Sequence, residues 1–264
     1  MAGNRPRRST APAEPTRQKD VLEALDAVTD PELDRSIVDL EYVDSVEIGD
    51  DGSHVAVRIT LPTAWCSPAF AWMMAVDARE AVEKLASVSE CTVSLREHLH
   101  EEEINRGVNR GLSFEEAFPD AEDGIDALRE KLDEKARLAR QYTALETLRE
   151  AGLGSAAIVD LRLEDLAPTG EDVLAAHPPD RAVAVIVPAT PLERYLEKAR
   201  ETGVVTDPDD VLFRTPAGEP INHEHFDLVY RRCRAARVNI SGQAGICQGL
   251  HESRQERLEE ATND

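Results

Sequence analysis

Residues 54–68 read HVAVRITLPTAWCSP, and this stretch decides the fold of the first part of the chain. Its first half carries apolar residues at every second position, namely Val55, Val57, Ile59 and Leu61. Such alternation predicts a β-strand with one apolar face and one solvent-facing face. The second half joins this strand to an amphipathic helix that the apolar spacing predicts over residues 68–85. The junction therefore places Cys66 at or just before a helix N-terminus.

The segments around this stretch complete a small domain. Apolar residues at helical spacing predict a first helix that ends at Asp30, because Pro31 disfavours helix in the residue before it. A strand is predicted over residues 42–48, and a turn joins it to the strand described above as a hairpin. Alternating residues predict a third strand around 91–95. The order helix, strand, strand, helix, strand makes residues 19–100 an α+β domain.

Two further regions flank this domain. Residues 1–18 combine Arg, Pro, Ser and Thr with almost no apolar side chains, so we expect a disordered tail. Residues 101–264 shift towards charged helices and form a mainly helical extension, which we expect to bind a partner or to dimerise. The elements predicted in this extension are helices at 123–151, 190–201, 223–237 and 249–261 and a short strand at 181–187.

The charge balance limits the classes of partner. The 264 residues include 30 Lys and Arg against 52 Asp and Glu, which gives a formal net charge of −22. Because phosphate recognition needs a basic face, we expect no nucleic-acid binding. The chain shows neither an apolar run of about 18 residues nor an apolar signal segment, so we expect no membrane span and a cytoplasmic protein.

Cys66 is the candidate reactive group. Backbone N–H groups at a helix N-terminus and the positive end of the helix dipole favour a thiolate over a thiol. A thiolate at this position could ligate iron. The alternative is a small buried cysteine that fills space beside Trp65.

Three segments carry a family resemblance when they are taken in order: DPEL at 30–33, SIVDL at 36–40, and LPT at 61–63 followed by a cysteine-bearing turn. Together they resemble the small domain of iron–sulfur cluster assembly and carrier factors. This group includes SufT-like proteins and the PaaD-like accessory proteins of phenylacetyl-CoA epoxidase. The resemblance covers about residues 19–98. It implies an α+β domain and a role in the maturation of metalloproteins.

The resemblance also assigns roles to individual residues. Cys66 matches the reactive cysteine of the family, and Thr63 stands where the family has a threonine before that cysteine. Asp39 matches the Asp of the family's Asp-Leu-Gly segment, and Asp30 and Glu32 match its Asp-Pro-Glu segment.

Two positions depart from the family pattern. Glu41 replaces the usual glycine after Asp-Leu. Ser67 separates Cys66 from Pro68, where the family has a direct Cys-Pro pair. We therefore expect a reshaped turn around the cysteine.

The remainder of the chain resembles a longer bacterial form of this domain that is associated with multicomponent di-iron monooxygenases. The segments that carry this second resemblance are INRGV at 104–108 and SFEEAF at 113–118. It implies that the client is an oxygenase hydroxylase or its iron–sulfur reductase.

His98 and His100 form a second candidate site. On an extended backbone the two side chains share one face, and carboxylates follow at 101–103, so an iron or zinc site is one interpretation. The alternative is a solvated strand end that leads into a helix, because acidic residues are common at helix N-termini.

The remaining cysteines have weaker signals. Cys247 follows a glycine-bearing segment at 241–246, which is predicted to be a flexible approach to the last helix and could bring Cys247 to Cys66 as a second thiolate ligand. An ordinary helix-cap cysteine is the alternative. Cys91 alternates with apolar residues and is predicted to lie in the core. An iron–sulfur unit needs several thiolates or imidazoles as ligands. A chain with one reactive cysteine is therefore predicted to hold a cluster or iron transiently, at a site that it shares with a second chain or with a client.

A basic segment stands out in the extension. Four arginines lie within seven residues: Arg231, Arg232, Arg234 and Arg237. They could dock an acidic partner, although pairing with neighbouring carboxylates is favoured on a helix in so acidic a chain.

Taken together with the resemblance, these patterns predict an accessory factor and not an enzyme. The expected role is the assembly of an iron–sulfur cluster or iron centre, in which Cys66 passes the cargo to a client metalloenzyme by ligand exchange. The expected partners are that client and the assembly machinery. A metal-free scaffold or chaperone for an oxygenase component is the alternative. A third hypothesis is an enzyme with Cys66 as nucleophile, but its local motif holds no histidine to act as a base.

Overall fold

The computed structural model describes residues 16–121, 124–180 and 182–263, and these divide into two units. The first unit holds residues 16–30, 35–121 and 250–263. The second unit holds residues 31–34 and the described residues between 124 and 249. Almost all of the predicted disordered tail lies outside the described residues, but Thr16 is buried and hydrogen-bonded to Ser87.

The first unit begins with short elements and continues with a hairpin, a crossover helix and a third strand. In chain order its elements are α1 (Gln18–Asp26), β1 (Thr29–Asp30), β2 (Arg35–Ser36), β3 (Val43–Ile48), β4 (His54–Thr60), α2 (Pro68–Glu83), β5 (Glu90–Arg96), α3 (Glu101–Arg110) and α4 (Phe114–Ala117). The strands and the crossover helix expected from the sequence are confirmed. The α+β class is confirmed as well.

The main sheet has the order β3-β4-β5. Strands β3 and β4 are antiparallel, with Val46 opposite Val57, and β4 and β5 are parallel, with Val57 opposite Val93. A parallel pair requires a crossover, and α2 supplies it. Because Thr60 pairs with Arg96, the segments that follow β4 and β5 leave the same edge of the sheet.

Helix α3 covers the outer edge of β5. The Asn105 side chain donates to the Leu95 carbonyl at 3.0 Å and accepts from the Leu95 N–H at 2.7 Å. Asn109, one helical turn later, does the same for Val93 at 2.7 and 2.9 Å. Two amide side chains at i and i+4 thus satisfy alternate residues of an edge strand that would otherwise stay open.

Close packing also ties α3 to the first unit. A Cβ added to Gly107 would lie 2.5 Å from the Trp72 ring, so only glycine lets the helix approach this closely. Phe114 and Phe118 contact Trp72 edge-on, with ring centroids 5.7 and 6.1 Å apart. The first unit therefore runs to Ala121, beyond the boundary predicted at residue 100, because α3 and α4 complete its core.

The second unit combines helices with a small sheet. Its elements are α5 (Ile125–Glu150), α6 (Ser155–Asp160), a 3₁₀ turn (Leu163–Asp165), β6 (Leu166–Pro168), β7 (Val173–Ala176), β8 (Val185–Pro188), α7 (Ala189–Glu201), a second 3₁₀ turn (His223–His225) and α8 (Phe226–Asn263), which continues into the first unit. The sheet has the antiparallel order β6-β7-β8. The predicted helical character of the extension is confirmed, whereas β6 and β7 were not predicted.

A buried ion pair lies within the second unit. The Arg140 guanidinium donates to both carboxylate oxygens of Asp34 at 2.8 and 2.9 Å, and both side chains are less than 10% exposed. Arg140 also donates to Glu197 at 2.8 Å. Such bidentate pairing satisfies two charges that burial would otherwise destabilise.

Helix α8 corrects one prediction. Two helices were expected, with residues 241–246 as a flexible approach to the second, but residues Phe226–Asn263 form one continuous helix. Glycine lowers helix stability by about 1 kcal/mol per residue without preventing helix formation, so the isolated glycines do not interrupt α8.

Within the described ranges, no helix is both long and apolar enough to cross a bilayer.

Candidate functional site

Cys66 lies in the connection between β4 and α2. The residue immediately precedes Ser67, the N-cap of α2, and Pro68 occupies the first helical position. The Cys66 N–H donates to the Thr63 carbonyl at 3.4 Å, which closes a tight turn. The side chain is neither sealed in the core nor fully exposed. The position predicted from the sequence, just before a helix N-terminus, is confirmed.

Thr63 lies beside the thiol. Its Oγ1 is 3.5 Å from Cys66 Sγ, and among the described residues it is the one hydrogen-bonding partner of that sulfur. Thr63 Oγ1 also accepts the Trp65 N–H at 3.2 Å. Because that amide occupies a lone pair of the hydroxyl, the hydroxyl proton remains available to donate to Sγ. Thr63 can therefore stabilise charge on the sulfur.

His98 holds the cysteine turn from the neighbouring strand end. Its Nδ1 accepts the His100 N–H at 3.1 Å, and its Nε2 lies 2.9 Å from the Cys66 carbonyl oxygen. A backbone N–H only donates, so Nδ1 carries no proton and Nε2–H donates to Cys66. The imidazole is 7% exposed, and burial lowers its pKa. His98 is thus a neutral side chain with both ring nitrogens engaged.

His100 has a different environment. Its ring packs edge-on against Phe118, with centroids 5.5 Å apart, and its Nδ1 is 3.9 Å from a Glu103 carboxylate oxygen. The backbone turns at Glu97, where φ is +54°, so His98 and His100 lie beyond the end of β5 and not on the extended backbone predicted for them. Their predicted joint metal site gains no support from this geometry, because the His98 nitrogens already have partners.

An apolar surface borders the cysteine turn. Trp65 is 78% exposed, which rules out the alternative in which Cys66 fills a buried space beside it. Trp65 lines a surface groove of about 450 Å³, together with Thr63, Leu250 and Arg254. At its rim, Arg254 pairs with Glu97 at 3.0 Å. The sequence did not reveal this groove, because nothing in a local pattern distinguishes an exposed tryptophan from a buried one.

Asp39 lies in the turn between β2 and β3. It is exposed, and its N–H donates to Ser36 Oγ at 3.4 Å, while Ser36 Oγ donates to Asp26 at 2.7 Å. The turn ends at Glu41, whose φ is +57°. This left-handed conformation favours glycine. It therefore explains why the family that the chain resembles usually has glycine at the position of Glu41.

The Asp-Pro-Glu segment divides between the two units. Asp30 is buried in β1 of the first unit. Glu32 belongs to the second unit, where the Gln243 side chain donates to its carboxylate at 3.3 Å. The segment is therefore held by contacts within each unit.

The other cysteines differ in accessibility. Cys91 and Cys233 are buried, and burial is the main cause that raises the pKa of each thiol to about 12. The core position predicted for Cys91 is confirmed. Cys247 is half-buried on α8 and belongs to the second unit, so its predicted pairing with Cys66 remains a prediction.

The chemistry available at Cys66 is that of one thiolate ligand. Across the described residues, no group of three or more His, Cys, Asp and Glu side chains is arranged to hold a metal ion. Thr63 and His98 contact the cysteine turn, whereas Asp39 and His100 make no hydrogen bond to Cys66. A half-exposed thiol in a backbone-fixed turn suits a labile ligand more than a closed structural site.

Comparisons with known proteins agree with this arrangement. A family model described as iron-sulfur cluster assembly protein matches residues 18–95. The uncharacterized protein MJ1129 of Methanocaldococcus jannaschii is 36% identical over 88 residues, which are 33% of this chain and 90% of that protein. No solved structure matches the chain significantly. Through its N-terminal α+β domain, the chain belongs to the iron–sulfur cluster assembly protein family.

Proposed function

We propose that this protein installs iron or an iron–sulfur cluster in a client metalloenzyme, and that Cys66 is the thiolate that holds and releases the cargo. Membership of the family gives the general role in iron–sulfur assembly. The observation that carries the finer role is the position of Cys66: half-buried, next to the N-cap of α2, and beside an exposed Trp65.

The surroundings of the sulfur suit a metal ligand. The N-terminus of α2 presents unpaired backbone N–H groups and the positive end of its dipole, which favours negative charge on a nearby group. The Thr63 hydroxyl lies within hydrogen-bonding distance of Sγ. His98 donates a hydrogen bond to the carbonyl oxygen of Cys66, and this bond holds the turn in shape when the cargo leaves.

One thiolate does not complete the coordination of iron. The remaining ligands are sulfide and thiolates or imidazoles from a second chain or from the client. Delivery then proceeds by ligand exchange: a client thiol loses its proton and binds iron, the bond between iron and Cys66 Sγ breaks, and Cys66 takes up a proton. No oxidant or reductant is needed for this exchange. The protein acts as a carrier without turnover of a substrate.

The client that we propose is a component of a multicomponent di-iron monooxygenase, in the cytoplasm. The support is the resemblance of residues 104–108 and 113–118 to a longer bacterial form of the domain. In the structure these segments belong to α3 and α4 and pack within the first unit. Co-expression with the hydroxylase tests the proposal: iron content and activity of the hydroxylase should fall when this protein is omitted.

Anaerobic reconstitution tests the role of Cys66. Wild-type protein, Cys66→Ser and Cys247→Ser are incubated with ferrous iron and sulfide, and bound iron is followed by absorption and Mössbauer spectra. We expect wild type to show thiolate-to-iron charge-transfer bands and Cys66→Ser to lose them. Cys247→Ser removes the other half-buried thiol, the predicted second ligand, and shows whether that thiol also contributes to iron uptake. Equal uptake by wild type and Cys66→Ser would contradict the proposal.

The same variant separates the proposal from a metal-free chaperone. If Cys66→Ser restores the activity of a co-expressed client as well as wild type does, the protein assists its client without carrying iron. We expect instead that Cys66→Ser binds the client but leaves it deficient in iron.

A further inference from the structure

The basic segment of α8 lies on the surface of the second unit. Its four arginines are all exposed: Arg231, Arg232, Arg234 and Arg237. Within the part of the chain that the structure describes, none of them forms an ion pair, and Arg231 donates to the Asp227 carbonyl at 3.1 Å. Cations elsewhere in this unit do find carboxylates, as in the pairs Arg140–Asp34, Lys198–Asp133 and Arg214–Asp210. The pairing with neighbouring carboxylates that the sequence favoured for the basic segment is therefore wrong.

The spacing of these arginines opposes helix formation. Arg231, Arg234 and Arg237 follow one another at three-residue steps, which places like charges side by side on the helix surface. Between residues 226 and 249 the only acidic residue is Asp227, so this part of α8 offers one carboxylate to four guanidinium groups. The whole chain nevertheless has a net charge of −22. A local arrangement that the fold does not compensate points to a role outside the chain.

Apolar side chains lie among the arginines in a regular order. Leu228, Ala235 and Val238 are exposed, to 47% for Leu228 and 59% for Val238. Together with Arg231 they occupy positions i, i+3, i+7 and i+10, which fall on one side of a helix, and we call these four residues the outer seam. The opposite side of the same segment is buried and consists of Phe226, Val229, Cys233, Ala236 and Ile240. The spacing of the outer seam is typical of a surface that receives a second helix.

Cations border the outer seam on both sides. At about 100° per residue, Arg232 lies on one side of the seam and Arg234 on the other. Further round from Arg234, the Arg149 guanidinium of α5 lies 4.7 Å from the centre of the Tyr230 ring and adds a cation on that side. Glu146 accepts the Tyr230 hydroxyl there. Charged residues that border an apolar seam select its partner, so these borders favour a helix with carboxylates at the matching positions.

Other occupants fit these observations less well. A nucleic acid would contact the arginines but leave Leu228 and Val238 without apolar partners, and the net charge of −22 repels a polyphosphate. The outer seam of a second copy would bring arginine against arginine. An acidic surface elsewhere on a second copy would make a heterologous contact, which builds rings or filaments and not a discrete pair. The observations therefore favour a different protein.

We propose that the outer seam of α8 docks an acidic amphipathic helix of another protein. The apolar residues of that helix pack on Leu228, Ala235 and Val238, and its carboxylates pair with Arg232 and Arg234. The docked segment covers about three turns of α8. All of these groups belong to the second unit, so the contact does not depend on iron binding.

Fluorescence anisotropy of the full chain with a labelled peptide tests the proposal. The probe is an amphipathic helical peptide with leucine on its apolar face and glutamate on its polar face. A second peptide has glutamine in place of every glutamate. We expect the glutamate peptide to bind and the glutamine peptide to bind at least about tenfold more weakly. Absence of binding by the glutamate peptide, or equal binding of the two peptides, would overturn the proposal.

Paired charge reversals locate the binding surface. Arg232→Glu combined with Arg234→Glu reverses both borders of the outer seam and should weaken binding of the glutamate peptide by about tenfold or more. Lys131→Glu combined with Arg200→Glu makes the same change in net charge at exposed positions of the same unit, and should change the affinity by less than about twofold. Because neither arginine has an ion pair among the described residues, the first variant should keep the thermal midpoint of wild type. Equal losses of affinity in the two double variants would contradict the proposal.

Three further measurements exclude the other occupants. Val238→Ser removes an apolar group without changing the charge and should also weaken binding of the glutamate peptide. Duplex DNA and anionic phospholipid vesicles are titrated at the same salt concentration, and tighter binding of either than of the peptide would overturn the proposal. Sedimentation velocity examines the chain alone. Self-association of wild type that the reversal of Arg232 and Arg234 abolishes would identify a second copy as the occupant and overturn the proposal as well.

Discussion

The His98 imidazole donates from Nε2 to the Cys66 carbonyl oxygen at 2.9 Å and accepts the His100 N–H at Nδ1. This relationship follows from the topology. Because β4 and β5 are parallel, the segments beyond their carboxyl ends lie side by side, and His98 reaches across. The histidine thus supports the cysteine turn through its backbone and leaves the thiol free to react.

Replacement of His98 should therefore lower the stability of the fold, because its imidazole supports the turn and is not expected to bind the metal. In His98→Ala, two buried hydrogen bonds are lost, each worth about 1 kcal/mol, so we expect the free energy of unfolding to fall by about 2 kcal/mol. His100→Ala, which removes the more exposed neighbouring imidazole, is the control and should cost less than about 1 kcal/mol. Urea unfolding measures both. Loss of iron binding in His98→Ala without loss of stability would show instead that His98 is a ligand of the iron.

Glu41 offers a stabilising substitution. Its φ of +57° strains an L-residue but not glycine. We expect Glu41→Gly to raise the free energy of unfolding by about 1 kcal/mol, the usual cost of a left-handed L-residue. Glu41→Ala retains the strain and removes the same carboxylate, so it should not stabilise the protein. Equal stability of Glu41→Gly and Glu41→Ala would show that the left-handed backbone at this position is not strained.

The asparagines of α3 should be important for the sheet edge. Asn105→Ala leaves the N–H and C=O of Leu95 without their side-chain partner, and we expect a loss of about 2–3 kcal/mol in the free energy of unfolding. Hydrogen exchange should rise most at the Leu95 amide. Asn105→Asp is a matched variant that keeps the acceptor but not the donor, and it should lie between alanine and wild type. Unchanged protection of Leu95 would refute the edge role.

Burial of two thiols predicts a loss of stability at alkaline pH. The pKa of Cys91 and that of Cys233 are raised to about 12 in the folded protein, whereas the unfolded thiols ionise near their ordinary pKa of 9.0. The unfolded state therefore releases protons first, and stability that is present below pH 9 is lost as the pH rises towards 12. Each thiol contributes a slope of about 1.4 kcal/mol per pH unit in that window.

Urea unfolding at about pH 8 and about pH 10 measures this slope. Cys91→Ala should be less stable overall but less sensitive to pH than wild type, since one buried thiol is gone. Val93→Ala, which truncates a buried side chain of the same strand that does not titrate, is the control and should lose stability but retain the full pH dependence. The same slope in Cys91→Ala and wild type would contradict the assignment.

The sequence predicted the first unit well because its signals are local. Alternation through Val55, Val57 and Ile59 identified β4. The end of α1 was predicted too late, because the helix stops at Asp26 and the short strand β1 already precedes the proline. The position of Cys66 before α2 followed from the same junction. These features depend on neighbouring residues, which a sequence displays directly.

Other features depend on contacts that the sequence does not display. Strands β6 and β7 contain only three and four residues, too few for a periodic pattern to emerge. The role of His98 required knowledge that β4 and β5 are parallel neighbours. The glycines of α8 suggested a break, yet a helix tolerates them where its remaining residues continue the pattern.

Alkylation footprinting of reconstituted protein tests the central claim that the Cys66 sulfur binds the cargo. Protein with and without bound iron and sulfide is treated anaerobically with iodoacetamide, and each cysteine is quantified by mass spectrometry after unfolding and digestion. We expect the Cys66 thiol to react readily in the free protein and to be protected when iron is bound. Protection of Cys247 as well would identify it as the predicted second ligand. Alkylation of Cys66 at an unchanged rate in iron-loaded protein would contradict the account.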